Sequence, residues 1–468
     1  MSVLSLDQLR QKHPLFRYQK VEFAYRDSAL TAEFHYSFGE DLPLVTKLAF
    51  PDISVERWQK IDQKVVANWL FQIGMVEALS YWKAACSPQF VIEAGWLSEE
   101  QLLFWQELLQ KGLSEFFFVN KIDGWDPEFV KFQVAAVKPE KGLETSVDHQ
   151  THAEQIILPI GGGKDSAVGG EVLKKLNLPM ATLTINVDPV ELIKASKISP
   201  QLKVQRQLDP KLRELNAQGY LNGHTPFNAM AAFVITLAAY LYDYTYVAVS
   251  NEWSANEGNT VFLGQPINHQ YSKSLEFEGH FRNYCHRYLS TTVEYLSVLR
   301  PLHEIQIARL FSQYPQYWHS FLSCNRGQKS GKWCGECPKC LFVYIMLSPF
   351  LTQQELISIF GQNLLMKMSL QPIFDQLTGV AEVKSLECVG TRQETLVALH
   401  LTLERWSKMQ PAEPVPALLL YAEEEILTKV NDVVHQMHQI LNHVQHSQYL
   451  PKSWMELITA ENDAAGNL

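Results

Sequence analysis

Basic residues are in the minority: 40 Lys and Arg stand against 50 Asp and Glu, a formal charge of −10. Such a chain has no overall positive field to collect nucleic acid independently of sequence, so no nucleic-acid partner is expected. Long apolar runs are missing too. The longest, FNAMAAFVITLAAYLY at 227–242, falls short of a membrane span, and the opening MSVLSLDQLRQKHPLF lacks the continuous apolar core of a signal peptide. A cytoplasmic chain with no membrane partner is expected. Cysteine is scarce: seven in 468 residues make no disulfide framework, and an odd number cannot pair completely within one chain. No internal repeat or low-complexity tract is evident.

What remains is an ordinary globular composition, 46% hydrophobic and 19% charged, in a chain long enough for about two to four domains. VEFAYRDSALTAEFHYSF (21–38) alternates around the turn-prone Asp27 and Ser28 and reads as a strand hairpin. Helical periodicity follows in VVANWLFQIGMVEALSYWKAA and in LLFWQELLQKGLSEFF. This makes an α+β unit over 1–150, ending in the polar stretch 132–154. Short apolar runs then alternate with helices: IILPI (156–160), ATLTINV (181–187), LKVQRQL (202–208) and YVAVS (246–250). Thr225 is expected to cap, and Pro226 to start, the helix before the last of these. That rhythm predicts an α/β fold with a parallel sheet over 151–350 and ligands at the strands' carboxyl ends. A mostly helical region over 351–468 follows, interrupted by SLECVGTRQET.

LPIGGGKDSAVGG (158–170) joins the first of those strands to a helix. A Walker A loop would need a hydroxyl residue after Lys164, where Asp165 stands, and a dinucleotide fingerprint would need glycine at Ser166. Both fail. A strand, a glycine turn and a positive helix end remain, which together cradle an anion; the bland alternative is a tight turn. Asp188 and Asn251 fall at other strand ends of the same sheet. SNEWSANEGNT (250–260) and NHQYSKSLEFE (268–278) are densely polar just beyond the fourth strand, so Glu252, Asn256, His269 and Lys273 are expected to face the cleft. Cys324, Cys334, Cys337 and Cys340 are separated by nine, two and two residues. A closed tetrahedral zinc site is the leading reading; Cys-x-x-Cys redox chemistry, an iron–sulfur cluster and four buried free thiols compete.

GGGKDS resembles the SGGKDS motif of the PP-loop ATP pyrophosphatases, with Gly161 in place of the usual serine. The resemblance implies that Gly161, Gly162, Gly163, Lys164, Asp165 and Ser166 bind the β and γ phosphates of ATP, Lys164 and Ser166 through their side chains, and that Asp188 lies near the adenosine. The cysteine run resembles the zinc site of the PP-loop enzymes that make 7-cyano-7-deazaguanine. Thiolating relatives carry a Cys-x-x-Cys close behind the loop, and no cysteine occurs here between Ser166 and Cys285.

NEWSANEGN, NHQYSKSLEFE, WCGECPKC, GMVEALSYWK, GLSEFFFVN and ECVGT together resemble the bacterial UDP-N-acetylmuramoyl-L-alanyl-L-glutamate epimerases, over about residues 70–400. That resemblance implies inversion of the terminal L-glutamate of a UDP-muramoyl dipeptide with ATP and Mg2+. Adenylating the carboxylate would remove its charge and acidify the α-proton, which explains why an epimerase would carry an ATP loop. Glu252, His269 and Lys273 are then the expected catalytic residues, with His224 and Cys388 as further candidates for the base. His224, Asn251, Asn256 and Tyr271 are expected to hold substrate. An amidating or 7-cyano-7-deazaguanine synthase-like PP-loop ligase, or a non-catalytic ATP sensor, remain as alternatives.

Overall fold

The computed structural model describes residues 4–135, 147–409, 414–430 and 432–466. Ten of its twelve strands form one sheet. In chain order they are β1 (Leu15–Arg26), β2 (Ala29–Phe38), β3 (Leu42–Phe50), β4 (Gln89–Ile92), β5 (Lys131–Val134), β6 (Ala153–Pro159), β7 (Met180–Ile185), β8 (Gln201–Gln207), β9 (Tyr244–Val249), β10 (Thr260–Phe262), β11 (Gln265–Ile267) and β12 (Glu294–Ser297). The sheet order is β12-β9-β6-β7-β8-β3-β2-β1-β4-β5, and β10 pairs with β11 separately.

Local sequence explains the first hairpin. Asp27 and Ser28 both take positive φ, 50° and 59°, the mirror-image turn whose twist matches two right-twisted strands. Along β2, Leu30, Ala32, Phe34 and Tyr36 are buried. That period of two turns one face of the strand toward the helix Gln63–Trp82, where the Tyr36 hydroxyl donates to the Gly74 carbonyl at 2.8 Å. This helix is buried almost throughout, because the helix Phe227–Tyr242 packs on it as well and Trp69 stacks on Tyr240 with ring centres 5.5 Å apart.

The half of the sheet from β12 to β8 is parallel throughout, as expected for strand–helix alternation. β3 then joins β8 antiparallel through Lys47, Leu48 and Ala49, so the N-terminal α+β segment extends the same sheet. Arg206 of β8 braces this seam with a fork-on-fork pair to the buried Glu77 carboxylate, both bonds 2.6 Å. A second apolar core lies among the helices Lys164–Lys174, Glu304–Ser312 and Pro338–Leu347. No helix among the described residues is long and apolar enough to cross a membrane.

Several local expectations change. Thr225 does not cap the long helix: the helix starts at Phe227 without a side-chain cap, and the Thr225 hydroxyl accepts from Lys83 instead. The Lys83 ammonium is buried and also takes the carbonyls of Gly223 and His224, since a desolvated cation must be surrounded by acceptors. The run 102–117 divides at Leu113 into Glu99–Gly112 and Ser114–Asn120, next to a close approach of Gly112 to Pro226. Residues 136–146, inside the polar stretch taken as a domain boundary, lie outside the described residues.

Candidate active site

The glycine turn connects β6 to the helix Lys164–Lys174. Gly162 has φ +96°, a conformation open to glycine and strained for other residues. Its carbonyl accepts from the Leu322 amide at 2.8 Å. Gly163 is the N-cap and brings no side chain to the helix start, which leaves the first amides and the positive helix end facing outward. At the sixth residue of the helix, a Cβ on Gly169 would stand 2.5 Å from the Ser250 hydroxyl and 3.2 Å from Val298. A larger residue there would have to displace the Ser250 side chain just beyond β9.

The loop opens into a cavity of about 620 Å³. Gly161, Gly163, Asp165 and Ser166 line one side, Ile185, Asn186 and Val187 another, with Phe227 at the rim, and Asn251, Lys273, Asn325 and Lys339 supply polar groups. Beneath it lies a carboxylate cluster. Ligand oxygens of Asp165, Glu252 and Glu304 are all within 4.8 Å of one another. Lys164 bridges Asp165 and Glu304. Glu252 is 1% exposed, neither of its oxygens accepts a hydrogen bond, and its cationic neighbour Lys273 is 3.9 Å away. Burial pushes the Glu304 carboxyl up to about 8; Lys164 opposes this, while Asp165 and Glu252 add to it. Buried carboxylates left short of donors are costly, and three hard oxygens at this spacing fit a magnesium ion.

A second network joins three distant segments. His269 Nδ1 contacts the Glu115 carboxylate, the Cys388 thiol is within hydrogen-bonding reach of the same ring, and His224 lies 3.6 Å from Glu115. Burial alone would lower the pKa of His269, yet the bonds to Cys388 and Glu115 raise it to about 9. Burial would raise the half-buried Cys388 thiol, yet Lys273, Lys339 and His269 bring it down to about 6. For His224, burial and then His269 and Lys83 take the value down to about 3.

The four cysteines converge where the helix Pro338–Leu347 begins. Sγ separations are 3.9 Å for Cys324 and Cys337, 3.6 Å for Cys334 and Cys340, and 3.4 Å for Cys337 and Cys340. Four thiolates around a tetrahedral zinc stand about 3.8 Å apart, so the donor set fits that ion. Gly335, at φ +67°, makes the turn between Cys334 and Cys337.

The sequence model of the MurL N-terminal domain matches residues 7–298, and that of the MurL C-terminal domain matches 320–429. A protein of Xanthomonas oryzae pv. oryzae named UDP-N-acetyl-alpha-D-muramoyl-L-alanyl-L-glutamate epimerase is 33% identical over 403 residues, covering 84% of this chain and 87% of that protein. The chain belongs to the UDP-N-acetyl-alpha-D-muramoyl-L-alanyl-L-glutamate epimerase family. Proteins of the same name from Micromonospora sp. and Salinispora tropica are 35% and 34% identical, covering 71% and 74% of this chain and 74% and 75% of their own lengths. Together the two matched regions span the glycine loop, both polar stretches, the four cysteines and Cys388.

Within this epimerase-family chain, Gly161, Gly163, Asp165, Ser166, Asn251 and Lys273 meet at one cavity, and Glu252 lies against it through Asp165. Other expected residues lie elsewhere. Lys164 is buried between Asp165 and Glu304 instead of reaching into the cavity, because those two carboxylates would otherwise be buried without a counter-charge. Asp188 is exposed, 3.2 Å from Lys203; β7 ends at Ile185 and Asn186 turns the chain at φ 58°, which puts Asn186 and Val187 at the cavity. Asn256 is an exposed brace, its carboxamide bonding the Trp253 carbonyl and the Leu275 amide. Tyr271 is buried between Phe277 and Lys111, and His224 joins the Glu115 network. Glu304, Glu115 and Lys339 were not legible as site residues. Glu304 follows β12, so reading VEYLSVL as a fifth parallel strand would point to it.

Proposed function

We propose that the chain inverts the terminal L-glutamate of UDP-MurNAc-L-Ala-L-Glu to the D-epimer during peptidoglycan precursor synthesis, consuming ATP through an acyl-adenylate. The observation that carries this reading is the cavity itself: a bare helix N-terminus behind a glycine turn lines it, and so does Asp165, the outermost member of a cluster of three carboxylates. The first suits an anionic phosphate chain and the second a divalent cation. In this reading 1–150 enlarges the substrate cleft, 151–350 carries the nucleotide site and 351–468 borders it.

The chemistry needs both parts. Removing an α-proton beside a free carboxylate would put a second negative charge on an anion. If the carboxylate oxygen attacks the α phosphorus of ATP, pyrophosphate leaves and the mixed anhydride draws electrons from the α-carbon. The amides at Gly161–Ser166 would orient the departing pyrophosphate, and the apolar wall of Leu183, Ile185 and Val249 offers a dry surface for adenine. Magnesium held by Asp165, Glu252 and Glu304 would supply positive charge to the phosphates. After the α-carbon is reprotonated on its other face, hydrolysis frees the D-epimer and AMP.

Incubating the enzyme with UDP-MurNAc-L-Ala-L-Glu, ATP and Mg2+ in D2O tests the reading. Deuterium at the glutamyl α-carbon together with AMP and pyrophosphate is expected. Absence of α-deuterium overturns the epimerase; pyrophosphate release with a different acid would identify a ligase, and ATP binding without AMP a sensor.

A further inference from the structure

Three lysines stand at or beneath the cavity, and two of them have carboxylate partners. Lys164 is engaged by Asp165 and Glu304, and Lys273 faces Glu252 at 3.9 Å. Lys339 differs from both. It is half-buried and lines the cavity, yet among the described residues its ammonium has neither a hydrogen-bond acceptor nor an ion-pair partner. The two carboxylates that feel its charge, Glu387 and Asp165, are bonded elsewhere: Glu387 accepts from Asn325 at 2.8 Å, and Asp165 accepts from Lys164. A cation held at a cavity wall without a counter-charge from the protein is a place for an anionic ligand.

The backbone around Lys339 is fixed. It is the second residue of the helix Pro338–Leu347 and lies between Cys337 and Cys340, whose buried sulfurs are 3.4 Å apart. The segment leading into the cysteine cluster lines the cavity as well, through Leu322, Ser323, Asn325 and Gln328. Two close approaches set this segment against the glycine turn. The Leu322 amide donates to the Gly162 carbonyl at 2.8 Å, and the Ser323 hydroxyl stands 3.1 Å from where a Cβ on Gly163 would be. The ammonium is therefore carried by a wall already seated beside the turn, on an element separate from the helix Lys164–Lys174.

We propose that Lys339 binds the γ-carboxylate of the glutamyl residue being inverted and selects glutamate over its amide. The inference rests on the reading above, in which that residue reacts in this cavity. There the phosphates of ATP have the bare helix N-terminus and the magnesium cluster, and the α-carboxylate loses its charge on adenylation. The γ-carboxylate keeps its charge throughout. It is two methylenes from the α-carbon, so it stays in the cavity whenever the α-carboxyl group reacts there, whereas the alanyl and muramoyl groups separate UDP from that carbon. A fixed cation beside the γ-carboxylate also offsets its repulsion of the negative charge that develops as the α-proton leaves. A γ-carboxamide would leave the ammonium without a counter-charge, the kind of mismatch that gives strong discrimination.

The test measures substrate-dependent pyrophosphate release, with ATP and Mg2+, for UDP-MurNAc-L-Ala-L-Glu and for UDP-MurNAc-L-Ala-L-Gln. Wild type is expected to favour the glutamyl substrate at least about 100-fold in kcat/KM. In Lys339→Met that preference should fall below about tenfold, mainly through a higher KM for the glutamyl substrate, while the KM for ATP stays unchanged. Lys339→Arg keeps the charge and should retain most of the preference, and both variants should match wild type in zinc content and melting temperature. A wild type that accepts the amide equally overturns the proposal without any variant. So does an undiminished preference in Lys339→Met. An equal loss on both substrates, or a raised KM for ATP, also overturns it and assigns the ammonium to a phosphate. If wild type inverts the glutamyl residue without releasing pyrophosphate, the adenylate reading fails, and the same comparison read as α-deuterium uptake in D2O still decides on Lys339.

Discussion

Arg300 and Glu278 form a fully buried ion pair at 3.0 Å, and the remaining guanidinium nitrogens donate to the main-chain carbonyls of Glu252 and Lys273. One side chain therefore ties together the two polar segments that deliver charge to the cavity. Arg300→Met leaves the buried Glu278 with the Ser297 amide but no counter-charge and is expected to cost about 3–5 kcal/mol of stability. Chemical denaturation measures it; a loss below about 1 kcal/mol would contradict this role.

Glu252 has no hydrogen-bond donor on either oxygen, so Glu252→Gln should leave the fold intact while removing one charge from the three-carboxylate cluster proposed to hold magnesium. The Mg2+ concentration for half-maximal pyrophosphate release is expected to rise at least about tenfold. An unchanged magnesium titration would remove Glu252 from the metal set.

The contrast between Glu252 and Glu304 shows what a sequence displays. Glu252 stands in a dense polar run directly after an obvious strand, while Glu304 follows β12, whose four residues carry too short a pattern to announce themselves. The glycine loop is legible for the same reason as Glu252: Gly161–Gly163 sit between an apolar run and a helix, all within one short window. Glu115, His269 and Cys388 meet from three remote segments, and no spacing rule links them. Where Lys164 points depends on Glu304, so its side chain could not be oriented before that partner was known. The ten-stranded sheet is likewise legible in halves only, because the β3 and β8 pairing joins strands that are far apart in the chain.

Zinc content offers a check independent of catalysis. Purified protein is expected to carry about one zinc per chain, and chelation or Cys334→Ser should lower the melting temperature, since metal affinity adds directly to folding stability. A metal-free protein with unchanged melting behaviour would contradict the zinc assignment.

Gly162→Ala separates strain from crowding. The nearest atoms to an added Cβ are 3.6 and 3.7 Å away, so space is sufficient, but φ +96° is unfavourable for alanine. A stability loss of about 1–3 kcal/mol is expected, with weakened ATP-dependent turnover. A variant as stable as wild type would show that the turn relaxes freely.

His224 has a signed pH effect. Its folded pKa lies near 3, below the ordinary 6.5, so the unfolded chain binds the extra proton first. Stability from this group is complete above pH 6.5 and is lost as pH falls toward 3. Relative to His224→Asn, wild type should therefore lose stability through that window. Equal slopes for the two proteins in denaturation series at several pH values would contradict the buried neutral imidazole.

Only three residue pairs stitch β3 to β8, yet they decide which pieces of this chain can stand alone. Cut at that seam, each half would expose a naked strand edge ready to recruit a foreign chain. The half that carries the glycine turn and the half that supplies Glu115 would thus each be poor cargo for fusion without the other.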